Sequence, residues 1–310
     1  MGAKRHETVV VLINWFHAER TVSSIRQFEH WRKLHPRLIV VCNGDTEEGR
    51  ALLRKTCSKA ELLIEMPGNT GFSGANNAGI REALALGADR IGLINTDAEI
   101  SETDFGRLLE AFDEIDHLAA AGPLVVEQQG DREIVYAGGR DISQWRQTRI
   151  QHAGNAGGAG SQRYTKPDYV MGTAMVASRA AWEKVGLFDE RYFFSGEVAD
   201  WCERARASGF QIAVDATARA VHHTDLAGTA AREGDYLYYS LRNRFLFISK
   251  HRRDQRLRLY ARWAATGMVE AAKSVLRGKW GRAGACLTAI RDGLAGHFGV
   301  RSLKEVRPGP

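Results

Sequence analysis

The sequence Asn95-Thr96-Asp97 has the residue types and the position of a ligand-binding turn. It directly follows residues 91–94 (IGLI), an apolar run just long enough for a buried central strand of a parallel sheet. Ligands of open α/β sheets collect at the carboxyl ends of the strands, so a carboxylate at this position indicates binding or catalysis. A lone Asp after a strand is also a common cap or turn residue, and the motif alone leaves both interpretations open.

A second group of acids lies among aromatic residues in segment 187–201 (LFDERYFFSGEVADW). Glu197 and Asp200 stand three residues apart at the start of a predicted helix over 199–208. Acids are favoured at a helix start by the helix dipole, which would be a purely structural role. The neighbouring aromatic residues instead favour a cleft in which a carboxylate is partly desolvated and serves as a general base.

Two further stretches carry chemistry-bearing residues. Residues 68–79 (GNTGFSGANNAG) open a helix, and their backbone amides can hold an anionic or hydroxyl-rich ligand. Their spacing matches neither the P-loop nor the dinucleotide-binding fingerprint, and a tight turn packed on the sheet is the alternative. His222 and His223 follow a strand-like alternation over 211–221, where one of them is placed to ligate a metal or, alternatively, to serve the structure.

The elements that must position these residues form a regular α/β pattern. Strands are predicted at 8–14, 37–42 and 61–65, with helices at 20–35 and 46–56 between them. This βαβαβ order predicts a doubly wound, mostly parallel sheet with right-handed crossovers. Further helices are predicted at 101–116 and 180–186, and further strands at 122–126, 133–136 and 169–178. The last strand contains Gly172, which predicts close approach by a ligand or another backbone. The glycine-rich segment 141–164 is predicted to be a mobile functional loop.

Composition narrows the class of protein. The chain is 44% hydrophobic and 26% charged, which is typical of a globular protein. Its four cysteines form no CxxC pair, so neither a zinc site nor a redox motif is indicated. The start MGAKRHETVVVLINW is too short and too polar for a signal peptide, and no apolar run approaches the ~20 residues that span a bilayer. We therefore expect a cytoplasmic protein.

The charge is unevenly distributed. Residues 242–310 contain 16 Lys and Arg against four acids, a net +12, so residues 1–241 carry −6 of the total +6. A basic helical segment of this kind seeks an anionic surface. In residues 257–272 the predicted apolar face comprises Leu257, Tyr260, Ala261, Ala264 and Met268. We expect this segment either to contact the inner face of an anionic membrane or to pack on the first domain and form homo-oligomers. No nucleic-acid partner is expected, because no zinc-finger, RNP-like or helix-turn-helix pattern is present.

Six stretches together resemble the inverting glycosyltransferases of family 2, which have the GT-A fold, and the rhamnosyltransferase-like branch in particular. They occur in family order between residues 9 and 223, and the run RNRF at 242–245 is also familiar. The stretches are VVVLINW with VVCNG, NTGFSGANNAG, LINTDAE, YVMGTAMV, VGLFDERYFFSGEVADWCER and AVHH. The resemblance implies a GT-A domain over residues 1–230 and a basic helical C-terminal segment over 231–310.

The resemblance also implies a nucleotide-sugar donor, a divalent metal (Mn²⁺ or Mg²⁺) and direct displacement at the anomeric carbon. Asp97 is then the metal carboxylate, His222 or His223 completes the metal shell, and Asn95 lies near the ribose or diphosphate. Glu197 is the expected base and Asp200 the second choice. The positions expected to contact the donor are Asn14, Cys42, Asn43, Asn69, Gly71, Phe72, Asn76, Asn95, Thr96, Asp97 and Gly172.

Three departures from the family pattern bear on function. Val198 and Ala199 separate Glu197 from Asp200, where the family often has Glu-Asp ahead of a further Asp. Cys42 stands where many members have an Asp that contacts the nucleobase, and Asp45 is a possible replacement. Phe16 stands where Asn is common. The leading hypothesis is transfer of a sugar to a glycan or lipid-linked glycan acceptor, and the alternative is a catalytically silent nucleotide-sugar- or glycan-binding protein. A nucleotidyltransferase would need a basic Gly-rich loop after the first strand, which Asn14-Trp15-Phe16-His17 is not.

Overall fold

The structure is a computed structural model that describes residues 7–57, 62–144, 150–151, 162–223 and 230–301. Strands and helices alternate through the first three quarters of the chain, and three helices follow. The strands are β1 (Thr8–Asn14), β2 (Arg37–Cys42), β3 (Leu62–Glu65), β4 (Arg90–Asn95), β5 (Ala98–Ile100), β6 (Leu118–Gln129), β7 (Arg132–Tyr136), β8 (Ile150–Gln151), β9 (Tyr164–Thr165), β10 (Ala174–Ser178) and β11 (Gln211–His222). The helices are α1 (Ala18–Glu29), α2 (Glu47–Thr56), α3 (Gly71–Ala85), α4 (Glu102–Glu114), α5 (Arg179–Val185), α6 (Glu197–Ala207), α7 (Ala230–His251), α8 (Arg256–Leu276) and α9 (Trp280–Ala295).

One mixed sheet forms the centre of the protein, with strand order β3-β2-β1-β4-β10-β6-β11-β5. Strands β1, β2, β3 and β4 are parallel, and β6 and β11 are parallel to each other. Because β10 is antiparallel to both β4 and β6, these two groups of strands run in the same direction. The sheet is thus mostly parallel, as predicted, with antiparallel strands β5, β7 and β10 that the sequence pattern did not identify as such.

Both faces of the sheet are covered by helices. Successive side chains of a strand point to opposite faces, so a continuous apolar strand must be buried on both sides. In β1, Val9 and Val11 face a core layer shared with α3, α5 and α6, whereas Val10 and Leu12 face a layer shared with α1, α2 and α4. The continuous apolar run of β1 is therefore buried on both sides. This two-layer burial fixes the register of the strands, and the ends of the strands define the site.

The three C-terminal helices form a separate apolar cluster that includes Phe245, Trp263 and Cys286. The predicted apolar face of α8 is only partly correct, since Tyr260 packs on this cluster but Leu257 and Met268 are 80% and 58% exposed. No helix of the described residues is both long enough and apolar enough to cross a membrane.

Several predicted boundaries differ from the structure. The first helix ends at Glu29 rather than at residue 35, although Trp31 beyond it remains buried. The strand predicted over 169–178 is limited to β10, and Gly172 lies in the turn before it. Most of the predicted loop 141–164 lies outside the described residues. The predicted N-cap Ser101 is confirmed, since its Oγ accepts a hydrogen bond from the Asp104 backbone N–H.

Candidate active site

The polar residues identified from the sequence converge on one edge of the sheet. Strands β1, β2, β4, β6 and β11 run in the same direction, so their carboxyl ends meet there. Asp97 is the second residue after the end of β4, and Glu127 and His222 lie near the ends of β6 and β11. The helix α3 begins at this edge after β3. Sequence positions more than 100 residues apart are brought together by strand direction alone.

Asp97, His222 and Glu127 form a line of three interacting side chains. The Nε2 atom of His222 lies 3.5 Å from Asp97 Oδ1, and its Nδ1 atom lies 2.8 Å from Glu127 Oε1. His222 and Glu127 are register partners on the parallel strands β11 and β6, which places both side chains on one face. Burial would lower the pKa of His222, but the two carboxylates outweigh it and raise the pKa to about 9.

The side chain of His223 points elsewhere. Its Nε2 atom lies 3.4 Å from Glu99 Oε1, and the side chain is 52% exposed against 18% for His222. The backbone N–H of His223 donates to Asp97 O, at 2.8 Å, so His223 supports the turn through its main chain. Of the two candidate metal ligands, only His222 has its imidazole beside Asp97.

The residues present fit a divalent cation, whose binding would displace the proton that the two carboxylates hold on His222. Asp97 Oδ1 is buried and has no hydrogen-bond partner among the described residues, and it faces an imidazole nitrogen. The other imidazole nitrogen is bonded to Glu127, the arrangement that orients metal-binding histidines in proteins. Within the described residues no group of three or more His, Cys, Asp or Glu surrounds a single point. Asp97 and His222 would therefore be the two protein ligands, with phosphate oxygens supplying others, which is usual for Mg²⁺ at phosphate sites.

The pKa of Asp97 reflects the same pairing. Burial of the carboxyl would raise its pKa, but the neighbouring His222 outweighs that effect and keeps the pKa below the ordinary value. Asp97 is therefore ionised at neutral pH, as a cation ligand must be.

The glycine-rich segment before α3 is held to the end of β2 by amide side chains. Asn43 donates from Nδ2 to Asn69 Oδ1 (3.1 Å) and to Gly71 O (3.2 Å). Its Oδ1 accepts from the backbone N–H and the hydroxyl of Thr70, both at 2.8 Å. Asn69 Oδ1 also accepts from the Gly71 N–H at 2.8 Å. Because Asn43 is buried, these bonds shape the turn from which α3 starts.

At the end of β1, Asn14 is fully buried and its amide is used inside the protein. Its Nδ2 donates to Asp45 Oδ2 at 2.7 Å, and its Oδ1 accepts from the Thr21 hydroxyl at 2.8 Å. Cys42 lies beside it, with Sγ 3.8 Å from Asn14 Nδ2, and burial raises the pKa of this thiol. The partly exposed Asp45 is therefore the carboxylate at this end of β1 and β2. Trp15, 41% exposed, lies next to Gly44 at the same place.

The turn after β4 is fixed by main-chain contacts. The Asn95 N–H donates to Thr173 O at 2.9 Å, which joins this turn to the segment before β10. Thr96 O accepts from the hydroxyl of Ser24 at 3.0 Å. Within α3, Asn76 Nδ2 donates to Phe72 O at 3.0 Å. These bonds set the backbone from which Asp97 projects.

Gly172 and Phe72 pack against the start of α6. A Cβ atom at position 172 would lie 3.1 Å from Val198 Cγ2 and 3.5 Å from the Phe72 ring. The close approach predicted at Gly172 is thus made by two side chains of the protein. Gly172 therefore lies between two parts of the site: Val198 of α6 packs against it, and the carbonyl of the next residue, Thr173, accepts from Asn95 in the turn after β4.

Glu197 is a buried acid with an unused oxygen. Its side chain lies at the first residue of α6, is 6% exposed, and has no partner for Oε2 among the described residues. Burial raises the pKa of Glu197 to about 7, and the charge of Asp200 adds to this, while the backbone amides of Glu197 and Val198 act in the opposite direction. A carboxyl with a pKa near neutrality is well matched to accept a proton.

Asp200 has a different environment although it is only one helical turn away. Its carboxylate lies 2.6 Å from Lys250 Nζ, 2.7 Å from His251 Nε2 and 2.9 Å from Arg204 Nε, and it accepts a hydrogen bond from the Tyr192 hydroxyl at 3.1 Å. Burial raises the pKa of Asp200, but His251, Lys250 and Arg204 outweigh it and lower the pKa to about 2. Both carboxylate oxygens have partners, so Asp200 ties α6 to the end of α7.

Two groups at the site were not identified from the sequence. Glu127 lies in a strand that the sequence pattern placed at 122–126, one residue too short to include it. Arg242 and Asn243 belong to the familiar run RNRF, yet nothing in that run indicates its partners. The parallel register of β6 and β11 is what places Glu127 beside His222, and this register is known only once the order of the strands in the sheet is known.

The architecture is that of a GT-A glycosyltransferase, and two solved structures share it. The mannosyltransferase PcManGT from Pyrobaculum calidifontis, in complex with GDP-Man and Mn²⁺, has a TM-score of 0.59 and 12% identity, covering 94% of this chain and 88% of that one. GalNAc-T7 with UDP, GalNAc and Mn²⁺ has a TM-score of 0.58 and 15% identity, covering 79% and 48%. At these identities the likeness shows the fold.

The chain belongs to glycosyl transferase family 2, whose family model matches residues 17–184, more than half of the sequence. Two curated relatives agree with this assignment. The low-salt glycan biosynthesis hexosyltransferase Agl10 of Haloferax volcanii is 28% identical over 211 residues, which are 67% of this chain and 66% of the relative. The dTDP-rhamnosyl transferase RfbF of Shigella flexneri is 24% identical over 196 residues, 61% and 63%. The chain thus spans slightly less than two thirds of each relative.

Proposed function

We propose that this protein is a metal-assisted inverting glycosyltransferase that moves a sugar from a nucleotide-sugar donor to a glycan or lipid-linked glycan acceptor. The observation that carries the proposal is the contrast between two carboxylates, Asp97 after β4 and Glu197 at the first residue of α6. Asp97 is ionised beside His222, whereas Glu197 is buried, has a pKa near neutrality and has one oxygen with no partner among the residues that the structure describes. When the environments of two acids separate their pKa values in this way, the ionised acid is suited to bind a cation and the acid with the higher pKa is suited to accept a proton.

The donor side of the site lies along the ends of β1, β2 and β4. Asp45 and the exposed ring of Trp15 offer a carboxylate and an aromatic face to a nucleobase. The start of α3, shaped by Asn43 and Asn69, faces this edge with the positive end of its dipole, which favours a diphosphate. When bound at Asp97 and His222, Mn²⁺ or Mg²⁺ would neutralise the charge of the leaving diphosphate.

The acceptor side is assigned to Glu197. Its carboxylate takes the proton of the acceptor hydroxyl as the new bond forms between that oxygen and the anomeric carbon. The bond from the anomeric carbon to the diphosphate oxygen breaks in the same step, and the nucleoside diphosphate leaves with the electron pair. Attack from the face opposite the leaving group inverts the anomeric configuration. Glu197 gains the proton readily because its burial already disfavours the charged form.

A thermal-shift and turnover screen tests this function. The donors are dTDP-rhamnose, GDP-mannose, UDP-glucose and UDP-N-acetylgalactosamine, each with and without Mn²⁺, because ligands that bind only the folded state raise the melting temperature. We expect one donor to give a Mn²⁺-dependent shift that Asp97→Asn removes, and Mn²⁺-dependent nucleoside diphosphate release. Absence of binding to every donor, or an unaffected Asp97→Asn variant, would contradict the proposal. Binding without release in the presence of acceptor glycans would identify a silent binding protein.

The membrane contact proposed for the C-terminal helices rests on exposed apolar residues. Trp280, Leu287 and Leu294 are spaced by seven residues on α9 and are all more than half exposed. At this spacing they lie on one helical face, and Leu276 at the end of α8 is exposed as well. The segment also has a large excess of Lys and Arg, each worth about 1 kcal/mol near an anionic membrane. We therefore propose that this face rests on the cytoplasmic leaflet and faces lipid-linked acceptors.

A further inference from the structure

Two of the five residues before α6 adopt an unfavourable backbone conformation. Phe193 and Ser195 have φ angles of 60° and 70°, and Gly196 has a φ angle of 100°. Positive φ angles are uncommon for residues other than glycine, so local preferences do not select this conformation. Tertiary contacts must hold the segment, and the segment leads directly into Glu197.

Asn243 of α7 binds three carbonyl oxygens of this segment. Its Nδ2 lies 2.9 Å from Tyr192 O, 2.8 Å from Phe194 O and 2.6 Å from Ser195 O. Its Oδ1 accepts from Arg242 Nε at 2.9 Å and from Arg242 Nη2 at 2.7 Å. The arginine thereby fixes the orientation of the amide, because a flipped amide would turn its oxygen towards three carbonyl oxygens.

Arg242 itself is buried and contacts the same segment. Its Nη2 donates to Arg191 O and Tyr192 O, both at 3.2 Å, and its Nη1 donates to Gly299 O at 2.6 Å. The guanidinium lies over the Tyr239 ring, 4.8 Å from its centroid. Arg242 and Asn243, which we call the α7 clamp, therefore join the C-terminal helices to the segment before Glu197.

The other side of the segment faces the donor-side helix. Phe193 O accepts a hydrogen bond from the Ser73 N–H of α3 at 3.3 Å. A Cβ atom at Gly71 would lie only 2.3 Å from Phe193 O, and Gly71 itself has a φ angle of 75°. Segment 192–196 is thus enclosed between the start of α3 and the α7 clamp.

We propose that the α7 clamp is a positioning element for catalysis, which holds segment 192–196 so that the Glu197 carboxyl stays buried and unpaired. This inference deepens the proposed function, since it rests on Glu197 being the base. Arg242 and Asn243 act on the reaction only through the backbone that they hold.

The surroundings of Glu197 are consistent with this role. The ionisable groups that face it are Asp200 on its own helix and Tyr236 on α7. The charge of Asp200 raises the pKa of Glu197, but burial is the larger cause. Because segment 192–196 leads directly into α6, we infer that its path sets this burial. Loosening that segment would admit water and lower the pKa of Glu197 towards its ordinary value.

The substitution Asn243→Asp tests the inference, since it keeps the shape of the side chain and removes the amide donor. We expect hydrogen exchange of peptides covering residues 192–198 to become at least about tenfold faster. With the donor chosen by the thermal-shift screen, we expect kcat to fall about tenfold or more while the donor KM changes less than about twofold. The acidic limb of kcat/KM should move down from near pH 7 by about one pH unit or more.

Asn77→Asp is the matched control. Asn77 is equally buried and donates from α3 to Phe188 O (3.0 Å) and Glu190 Oε1 (2.9 Å), at the start of the same stretch of chain. We expect it to lower thermal stability while the acidic limb stays near pH 7. If Asn243→Asp does not fold, Arg242→Lys replaces it as the test variant. It keeps the positive charge but removes the Nε and Nη2 donors to Asn243 Oδ1.

Unchanged exchange at 192–198, or faster exchange with an unchanged acidic limb, would overturn the inference. A Glu197→Gln variant with normal turnover would instead refute the proposed base. Hydrogen exchange does not depend on catalysis, so in that case it would still show whether the α7 clamp holds the segment.

Discussion

The substitution Glu197→Gln should make the protein more stable and less active. Gln resembles the protonated carboxyl in shape and lacks the charge that burial disfavours. Burial moves the pKa of Glu197 from its ordinary 4.5 to about 7 in the folded protein. The free energy that corresponds to this displacement is about 3 kcal/mol, which is a large fraction of the roughly 5–15 kcal/mol that stabilises most domains.

The sign of the effect follows from the protonation of the two states. Below pH 4.5 the carboxyl is protonated whether the chain is folded or unfolded, and Glu197 has no pH-dependent cost. Between pH 4.5 and pH 7 the unfolded chain releases the proton and the folded protein keeps it, so the free energy of unfolding falls as pH rises. Above pH 7 both states are ionised and the loss is complete. The stability gained by Glu197→Gln should therefore be about 0.8 kcal/mol at pH 5 and about 3 kcal/mol at pH 8.

Urea unfolding at pH 5 and pH 8 measures this difference, with Glu29→Gln as a control at an exposed acid on the last residue of α1. At the same time, nucleoside diphosphate release should fall about 10²-fold or more with donor affinity nearly unchanged, as expected for loss of a general base. A stability difference that does not change with pH would show that Glu197 is not a destabilised acid. Normal turnover would refute its role as the base.

Three other predictions concern the metal, the ion-pair network and the membrane. Asp97→Asn and His222→Ala should each weaken Mn²⁺ binding about tenfold or more by calorimetry, and His223→Ala should not; equal effects at the two histidines would contradict the assignment. Asp200→Asn should lower the free energy of unfolding by about 2 kcal/mol in urea at pH 7, because it removes the charged acceptor that Lys250 and Arg204 share, while Lys250 keeps its ion pair with Asp189; wild-type stability would contradict this. The protein should co-sediment with anionic liposomes at low salt. Co-sedimentation should decrease near 0.5 M salt, and it should also decrease for the variant Leu287→Glu. Binding that depends on neither the salt concentration, the lipid charge nor the substitution would favour oligomerisation instead.

The local pattern of the sequence predicted the first half of the fold closely. The strands 8–14 and 37–42 have the predicted bounds, because continuous apolar runs of this length have few alternatives to a strand buried on both faces. The ordered motifs also identified the glycosyltransferase family. Where a strand was interrupted by glycine, as at Gly172, the pattern extended it too far, since the period of two cannot show where pairing stops.

The roles of individual side chains depended on residues distant in sequence. The alternation of side chains along a strand implied that only one of His222 and His223 can reach a metal. The register of β11 with β6 and β5 selected His222, by placing it beside Glu127 and next to the turn that carries Asp97. Register between distant strands is set by the packing of the whole sheet, so it cannot be obtained from the residues around the histidines.

The difference between Glu197 and Asp200 was decided in the same way. In sequence they are two acids at the start of one helix, and helix preferences treat them alike. The folded chain brings Lys250 and His251 to Asp200 from α7 and leaves an oxygen of Glu197 buried without a partner in the described part of the chain. The sequence by itself therefore determined the fold family and identified the two acids as candidates for the chemistry. Only the tertiary structure decided which acid keeps its proton, because a pKa depends on burial and on charges that arrive from other elements.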